Sequence, residues 1–419
     1  MKKFLYNTFI LLCLIVLFNP SISLSDDIDT EEEIDIESEI ISASTYSETE
    51  IKEPTTNSRT CVVIDRNTNT ILYGKNENQK RKMASTTKIM TATIIIENCN
   101  LNDTVEVSKK AAGTGGSRLG LKTGDKITVK DLLYGLMLCS GNDAAVSLAE
   151  YCSGSVDGFA ELMNSKASSL GLTSTHFETP HGLDSDGHYT TAYELAKLTN
   201  YALKNETFAK IVGTKNYTVT INGYPKNLSN TNELLGVLSG VYGVKTGFTN
   251  GANRCLVTAC KRDDMDIICV VLGADTKKFR TQDSIKLINY IYDNFKIVNI
   301  KEIIDNKLEE WKNKNMQKLY INKGISQNIN LQLDNLAYTS LPIRKDLINS
   351  INVNIECKTN FDAPLFANTE IGKIEVSTNN QIITTCKIYN KNEISKKTPF
   401  SYMFMFFKNY INIIEENIL

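Results

Sequence analysis

The sequence is poor in the residues from which metal sites are usually built. It has only three histidines among 419 residues, and its ten cysteines include no Cys-x-x-Cys pair. We therefore expect no metal site and no cofactor, and we expect mostly free, structural cysteines. Seven prolines and 23 glycines exclude a collagen-like chain, while 42% apolar and 22% charged residues exclude both a wholly disordered chain and a polytopic membrane protein.

The N-terminus has the pattern of an export signal. Two lysines precede a mostly apolar run over residues 4–18, and small serines follow at Ser21 and Ser23. We predict a signal peptide over residues 1–25. A retained membrane helix is the alternative, but the apolar run is short for a span of about 20 residues.

Charge is distributed unevenly along the rest of the chain. Residues 26–53 contain twelve carboxylates and one lysine, and we predict an acidic disordered spacer over residues 26–57. Residues 54–419 carry 43 basic against 36 acidic side chains, a net charge of +7. This favours anionic cell-wall polymers or lipid headgroups as partners. Because the basic residues are scattered and not interleaved with aromatic residues, we expect no nucleic acid partner.

One serine and one lysine occur together in an apolar segment. Residues 84–96 have no polar helical face, so a helix here is predicted to be buried all round, and Lys88 is its only charge. Desolvation lowers the pKa of an amine towards that of a usable base. Ser85 stands three residues before Lys88, on the same helical face. Alone this motif is weak, and a lysine that reaches the surface is the alternative, but the apolar surroundings count against it.

Two further polar motifs lie between apolar segments. A capping box over residues 128–131 begins a predicted helix that breaks at Ser140-Gly141-Asn142 and then resumes. A capped joint between helices would by itself explain this motif. Lys245-Thr246-Gly247 lies on the first of a predicted set of antiparallel strands that includes the runs 255–260 and 267–273. Strand alternation would turn the lysine and glycine to one face, where glycine permits close approach of a ligand.

These motifs match, in the same order, the three signature motifs of serine penicillin-recognising enzymes. They are Ser85-x-x-Lys88, Ser140-Gly-Asn142 and Lys245-Thr-Gly247. With the segment His181-Gly-Leu-Asp184, the sequence resembles the D-alanyl-D-alanine carboxypeptidases, the low-molecular-mass penicillin-binding proteins. The resemblance implies an α+β fold. A β-lactamase/transpeptidase-like domain, with an antiparallel sheet flanked by helices and a helical subdomain, is expected over residues 58–293. A small β-sandwich domain is expected over 294–397, where short alternating runs are common.

The resemblance also implies a reaction and its catalytic residues. Ser85 would attack the carbonyl between two terminal D-alanines of a peptidoglycan stem pentapeptide and become acylated. Lys88 would be the base, and Ser140 would relay the proton to the leaving amine. Water would release the shortened peptide, and β-lactam antibiotics would trap the same serine. The expected substrate-binding residues are Asn142, Lys245, Thr246, Gly247 and Phe248.

Individual binding roles follow from the same resemblance. Asn142 would hold the backbone amide of the substrate, and Lys245 with Thr246 would bind its terminal carboxylate. The backbone N–H groups of Ser85 and Phe248 would form the oxyanion hole.

Two other functions are compatible with the same three motifs. A β-lactamase shares them, but class A enzymes use a Glu-x-x-Leu-Asn loop that is absent between Asn142 and Lys245. A catalytically silent wall-binding protein on the same fold is the second alternative. The intact motif residues count against loss of activity.

Two further features invite a functional interpretation. His176, His181 and His188 lie within thirteen residues, which suggests a metal site or a Ser-His-Asp triad. Their irregular spacing favours a structural loop or a contact with the substrate rim. A second Lys-Thr-Gly, at residues 122–124, precedes the Ser-Gly-Asn motif, which is the wrong order for the family. We predict that it forms a tight turn before a strand at 126–129.

Residues 398–419 are predicted to form an amphipathic helix. We favour an in-plane membrane anchor, which resembles the C-terminal helix of the family. Docking onto the protein's own β-rich domain is the alternative, because the polar face carries few basic residues. The expected location is the outer face of the cytoplasmic membrane or the cell wall. The apolar stripe consists of Phe400, Met403, Phe404, Phe407, Ile411, Ile414 and Ile418.

Overall fold

The computed structural model describes Ile36 and residues 51–418. The predicted signal peptide and almost all of the acidic stretch therefore lie outside the described residues. The chain forms two compact units, one ending at Ile291 and the other beginning at Tyr292.

The first unit combines a mixed set of strands and helices. Its strands are β1 (Thr60–Asp65), β2 (Ile71–Lys75), β3 (Thr104–Glu106), β4 (Lys126–Thr128), β5 (Asn216–Ile221), β6 (Tyr224–Ser229), β7 (Val241–Thr249), β8 (Asn253–Arg262) and β9 (Met265–Ala274). Its helices are α1 (Lys88–Asn98), α2 (Lys109–Ala112), α3 (Val129–Leu138), α4 (Asn142–Ser153), α5 (Val156–Ser169), α6 (Ala192–Ala202), α7 (Glu206–Val212) and α8 (Lys277–Asn294), whose last residues belong to the second unit.

A five-stranded antiparallel sheet forms the base of this unit. Its strand order is β2-β1-β9-β8-β7, so strands β1 and β9, which are about 200 residues apart in sequence, are neighbours. Strand β1 is buried along its whole length, and β8 and β9 are buried over most of theirs. Burial on both faces explains why these strands read as continuous apolar runs. The antiparallel strands predicted around the second Lys-Thr-Gly are confirmed.

Helix α1 is the buried centre of the helical layer. A 3₁₀ turn over Ala84–Thr87 leads into it, and residues 88–95 are all buried. It contacts helices α3, α4, α5, α6 and α7. The prediction that a helix here would be buried all round is confirmed.

The predicted cap at the start of α3, the break that follows α3 and the turn that precedes β4 are also confirmed. The Thr128 hydroxyl accepts the Asp131 N–H at 3.1 Å, so Thr128 caps α3, and the chain breaks between Leu138 and Asn142 before α4 begins. The first Lys-Thr-Gly, residues 122–124, forms an exposed turn before β4, with Gly124 at φ +83°.

The second unit is rich in sheet, as predicted, but it also contains a helix that was not predicted from the sequence. Its elements are β10 (Phe295–Asn299), α9 (Ile300–Asn315), β11 (Tyr320–Asn322), β12 (Leu331–Leu333), β13 (Ser340–Arg344), β14 (Asn352–Cys357), β15 (Asn360–Asp362), β16 (Glu370–Thr378) and β17 (Gln381–Asn390). Helix α9 packs its Ile300, Ile304 and Leu308 into the core of the unit. The main sheet is antiparallel with the order β12-β17-β16-β14, and two smaller ladders pair β10 with β13 and β11 with β15.

The chain continues into helix α10 (Pro399–Ile418). Large apolar side chains of this helix are exposed, among them Phe400, Phe404 and Phe407 at 69%, 66% and 55%. The side chains of Ile414 and Ile418, which belong to the predicted stripe, lie outside the described ones. Within the described residues, no helix has the length and apolarity needed to cross a bilayer.

Candidate active site

A cavity of about 400 Å³ lies in the first unit, where the 3₁₀ turn before α1, the α3–α4 joint and strand β7 meet. Of the predicted site residues, Ser85, Ser140, Thr246, Gly247 and Phe248 line it. Lys88, Asn142 and Lys245 are buried next to these residues. The other lining residues are Ile36, Ser117, Cys139, Asn230, Thr231, Glu233, Lys277 and Arg280.

Ser85 and Lys88 are in direct contact. The Lys88 amine donates a 2.7 Å hydrogen bond to Ser85 Oγ. The 3₁₀ turn puts the serine at the cavity wall while the lysine begins α1, and Ala84 takes a positive φ of +49° as the chain enters the turn. The three-residue spacing therefore places a hydroxyl nucleophile against an amine, which is the contact that an activated serine requires.

The surroundings of the Lys88 amine fix its position. The side chain is fully buried, and its nitrogen also donates to Asn142 Oδ1 at 2.7 Å and to the His181 carbonyl at 2.9 Å. These acceptors are uncharged oxygens, and they come from the α3–α4 joint and from the histidine-containing loop. Three separate segments thus converge on one amine.

Ser140 is held in a conformation that turns it into the cavity. Its φ is +60°, an uncommon value for a residue with a side chain. Its buried Oγ has no hydrogen-bond partner among the described residues, although the residue lines the cavity. Because a buried hydroxyl without a partner is costly, this atom is suited to contact with a bound substrate.

Asp143 fixes the α3–α4 joint to the preceding loop, a role that was not predicted from the sequence. Its carboxylate accepts the backbone N–H groups of Leu119, Gly120 and Leu121 at 2.8, 2.7 and 2.9 Å. Asn142 reaches the same segment, because its Nδ2 donates to the Gly115 carbonyl at 2.9 Å. The loop that contributes Ser117 to the cavity is therefore fastened to the start of α4.

Strand β7 supplies the opposite wall. The Lys245 side chain is 1% exposed and donates to the Thr246 carbonyl at 3.0 Å, and the Thr246 hydroxyl is 2.7 Å from that of Thr231. A Cβ at Gly247 would lie only 3.1 Å from Ser85 N. Glycine therefore allows β7 to approach the turn that carries Ser85.

Two residues of this wall were not found from the sequence. Arg280, in the first turns of α8, is 3% exposed, lines the cavity and forms an ion pair with Glu233. Burial alone would favour protonated Glu233, but the Arg280 guanidinium and the Thr281 hydroxyl hold the pKa of Glu233 below its ordinary value. The available signal was the basic cluster Lys277-Lys278-Phe279-Arg280 directly after β9.

The three histidines form no triad with Ser85. His188 Nε2 lies 2.7 Å from the Thr87 hydroxyl, and its Nδ1 accepts the Glu178 N–H at 3.0 Å. Burial, reinforced by the charges of His176 and Lys88, lowers the pKa of His188 to about 4. Burial and Lys88 lower the pKa of His181 to about 3. The histidines thus lie in a loop that packs against the 3₁₀ turn carrying Ser85.

Metal ligands are not grouped in the part of the chain that the structure describes. No three or more His, Cys, Asp or Glu side chains lie together there in a way that could hold an ion. The described side chains at the cavity offer hydroxyls, amines, amides, one guanidinium, one carboxylate and one thiol.

Comparison with known families identifies both units. A family model for D-alanyl-D-alanine carboxypeptidase, peptidase family S11, matches residues 47–276. A second model, for the C-terminal domain of penicillin-binding protein 5, matches residues 311–396.

Individual proteins agree with these matches. D-alanyl-D-alanine carboxypeptidase DacF of Bacillus subtilis is 34% identical over 349 residues, which cover 81% of this chain and 86% of that protein. The crystal structure of DacD from Francisella tularensis superposes with a TM-score of 0.66 at 26% identity and covers 84% of this chain and 98% of that one. The Streptomyces K15 DD-transpeptidase superposes with a TM-score of 0.55 at 37% identity over 57% of this chain and 98% of that one. The resemblance and the α+β fold predicted from the sequence are confirmed, and the chain belongs to the D-alanyl-D-alanine carboxypeptidase family of serine peptidases.

Proposed function

We propose that the protein is a serine-type D-alanyl-D-alanine carboxypeptidase, which removes the terminal D-alanine of peptidoglycan stem pentapeptides through an acyl-enzyme. The observation that carries the proposal is the 2.7 Å contact between Lys88 Nζ and Ser85 Oγ at the wall of a cavity that also contains the other two motifs. Membership of the family supports the same activity.

Acylation would begin at the Ser85–Lys88 contact. Neutral Lys88 removes the Ser85 proton as the oxygen attacks the carbonyl carbon between the two D-alanines. Collapse of the tetrahedral intermediate breaks the C–N bond, and Ser140 passes a proton to the departing amine. The buried Ser140 Oγ, which has no hydrogen-bond partner among the described residues, supports this role.

Carboxylate recognition would take place at the opposite wall. Lys245 and Thr246 bind the C-terminal carboxylate of the substrate, and Asn142 holds its backbone amide. We add Arg280 to this set, because its guanidinium lies in the same wall and guanidinium groups match carboxylates well. A requirement for this carboxylate explains why cleavage would remove only the last residue.

The oxyanion would be held by the backbone N–H groups of Ser85 and Phe248. Close approach of β7 to the nucleophile turn, which Gly247 allows, supports this arrangement. Water then cleaves the ester and releases the shortened peptide. A β-lactam would acylate Ser85 in the same way.

The location and the remaining segments are part of the same proposal. Residues 1–25 direct export, residues 26–57 act as an acidic spacer before the catalytic domain at 58–293, and 294–397 form the β-rich domain. The exposed apolar residues of α10 support its use, within 398–419, as an anchor on the outer face of the cytoplasmic membrane.

Release of D-alanine from a soluble peptide ending in Lys-D-Ala-D-Ala tests the proposal. Wild type should release it, and Ser85→Ala should lose more than 99% of the rate, since the nucleophile is absent. Circular dichroism should show that the variant is folded. Hydrolysis of a β-lactam without release of D-alanine would instead indicate a β-lactamase, and neither reaction in a folded wild type would indicate a silent wall-binding protein.

A further inference from the structure

Helices α1 and α4 extend side by side from the active site. Their first residues, Lys88 and Asn142, are joined by the 2.7 Å hydrogen bond described above, and the two helices are in contact. They have 11 and 12 residues, so at about 1.5 Å per residue both end some 16–18 Å from the cavity. Cys99 follows the last residue of α1, and Cys152 lies in the last turn of α4.

The two thiols meet at these far ends. The Cys99 and Cys152 thiols, at the ends of two contacting helices, lie close enough to interact, and both are free in this structure. Both residues pack against the same core cluster, yet both are partly exposed, so a small reagent can reach them. Burial, together with the hydrogen bond and charge of Cys152, raises the pKa of the Cys99 thiol to about 12.

We propose that Cys99 and Cys152 form a disulfide in the exported protein, which joins the ends of the two helices that begin at Lys88 and Asn142. The proposal rests on export, because disulfides persist in oxidising compartments, and it is independent of the catalytic roles. The sequence predicts mostly free, structural cysteines, and this pair would be an exception to that prediction.

The bond would form by thiol–disulfide exchange with a protein or small-molecule disulfide. The Cys152 thiolate attacks one sulfur of the donor and expels the other as a thiolate. The Cys99 thiolate then attacks Sγ of Cys152 and expels the second donor sulfur. The two cysteines lose two electrons and two protons, and the donor is reduced to two thiols.

Such a bond would act on stability. It closes the chain between residues 99 and 152, a segment that contains α3 and the Ser-Gly-Asn joint, and it restricts the unfolded chain. It would also prevent the far ends of α1 and α4 from separating. The helix pair would then be held together at one end by the Lys88–Asn142 hydrogen bond and at the other end by the disulfide.

Oxidised and reduced forms of the purified full chain provide the test. One sample is equilibrated with oxidised glutathione and the other with dithiothreitol, and each is alkylated, digested and analysed by mass spectrometry. We expect a cross-linked peptide pair containing Cys99 and Cys152 in the oxidised sample and a melting temperature about 5–10 °C above that of the reduced sample. This wild-type comparison needs no substitution.

Matched variants assign the effect to the pair. Cys99→Ser and Cys152→Ser should each abolish the cross-linked peptide and the difference in melting temperature. Cys357→Ser, which removes another partly exposed cysteine, should behave as wild type. Absence of the cross-linked peptide in the oxidised wild type, or its presence with equal melting temperatures, would overturn the proposal. Release of D-alanine is not the readout, so failure here is distinct from failure of the proposed reaction.

Discussion

The chain contains Lys-Thr-Gly twice, and the two copies show how surroundings determine what a residue can do. Lys245 is 1% exposed on a strand beside Ser85, whereas Lys122 lies exposed in a turn. Burial strengthens the interaction of a cation with a substrate carboxylate, because water no longer competes. Order along the chain already favoured Lys245 as the functional copy, and its position beside the cavity supports this proposal.

Substitution of the two lysines by alanine should therefore give opposite results. Lys245→Ala should lower kcat/KM for D-alanine release about 100-fold, since loss of a buried charge pair costs about 2–5 kcal/mol. Lys122→Ala should leave kcat/KM within about twofold of wild type. Steady-state kinetics on the soluble peptide decide between these outcomes, and equal losses in both variants would refute the assignment of Lys245.

At the scale of elements, the loop over residues 176–190 contacts the 3₁₀ turn that carries Ser85 through His188, which is neutral at pH 7. The pKa of His188 falls to about 4 and that of His181 to about 3, both below the ordinary value of 6.5. Below pH 6.5 an unfolded histidine binds a proton that the buried residue does not. The contribution of these two histidines to folding stability is therefore fully present above pH 6.5, and it is lost as the pH falls towards their folded-state pKa values of about 4 and 3.

Replacement of His188 should reduce this acid sensitivity. Each pKa unit corresponds to about 1.4 kcal/mol, so His188 alone should account for about 3 kcal/mol of the loss between pH 7 and pH 4. Chemical denaturation of His188→Gln across this range should give a flatter profile than wild type. His176→Gln, which removes a neighbouring charge that helps to lower the pKa of His188, should flatten the profile less than His188→Gln does. A wild-type slope in His188→Gln would contradict the account.

The elements differ in how well the sequence predicts them. The buried helix α1, the Thr128 cap and the strands around Lys245 follow from local periodicity and capping, which operate over a few residues. Helix α9 was missed because its apolar residues, Ile300, Ile304 and Leu308, are separated by charged residues and form only a narrow stripe. Arg280 was missed because the basic cluster at 277–280 does not show which of its side chains lines the cavity, and this depends on how α8 packs in the folded chain.

For the whole molecule, the exposed apolar helix at the C-terminal end is the feature that a catalytic role does not explain. Phe400, Phe404 and Phe407 are more than half exposed, which is unfavourable in water unless a surface covers them. A lipid interface is the partner that we propose for this face. The net charge of +7 from residue 54 onward is compatible with an anionic membrane surface.

Deletion of residues 399–419 should release the protein from membranes. Most of the wild type should sediment with the membrane fraction, and most of the truncated protein should remain in the supernatant. The truncated protein should keep its rate of D-alanine release from the soluble peptide, because the cavity lies in the first unit. Continued sedimentation of the truncated protein would refute the anchor.

The central claim is that Ser85 is acylated, and peptide mapping of the protein after incubation with benzylpenicillin tests it most directly. Acylation should appear as a covalent adduct on the peptide that contains Ser85, and Ser85→Ala should carry none. Lys88→Ala should form the adduct at least about 100-fold more slowly, because its amine contacts the attacking oxygen. An adduct on another residue, or none on the folded wild type, would contradict the account.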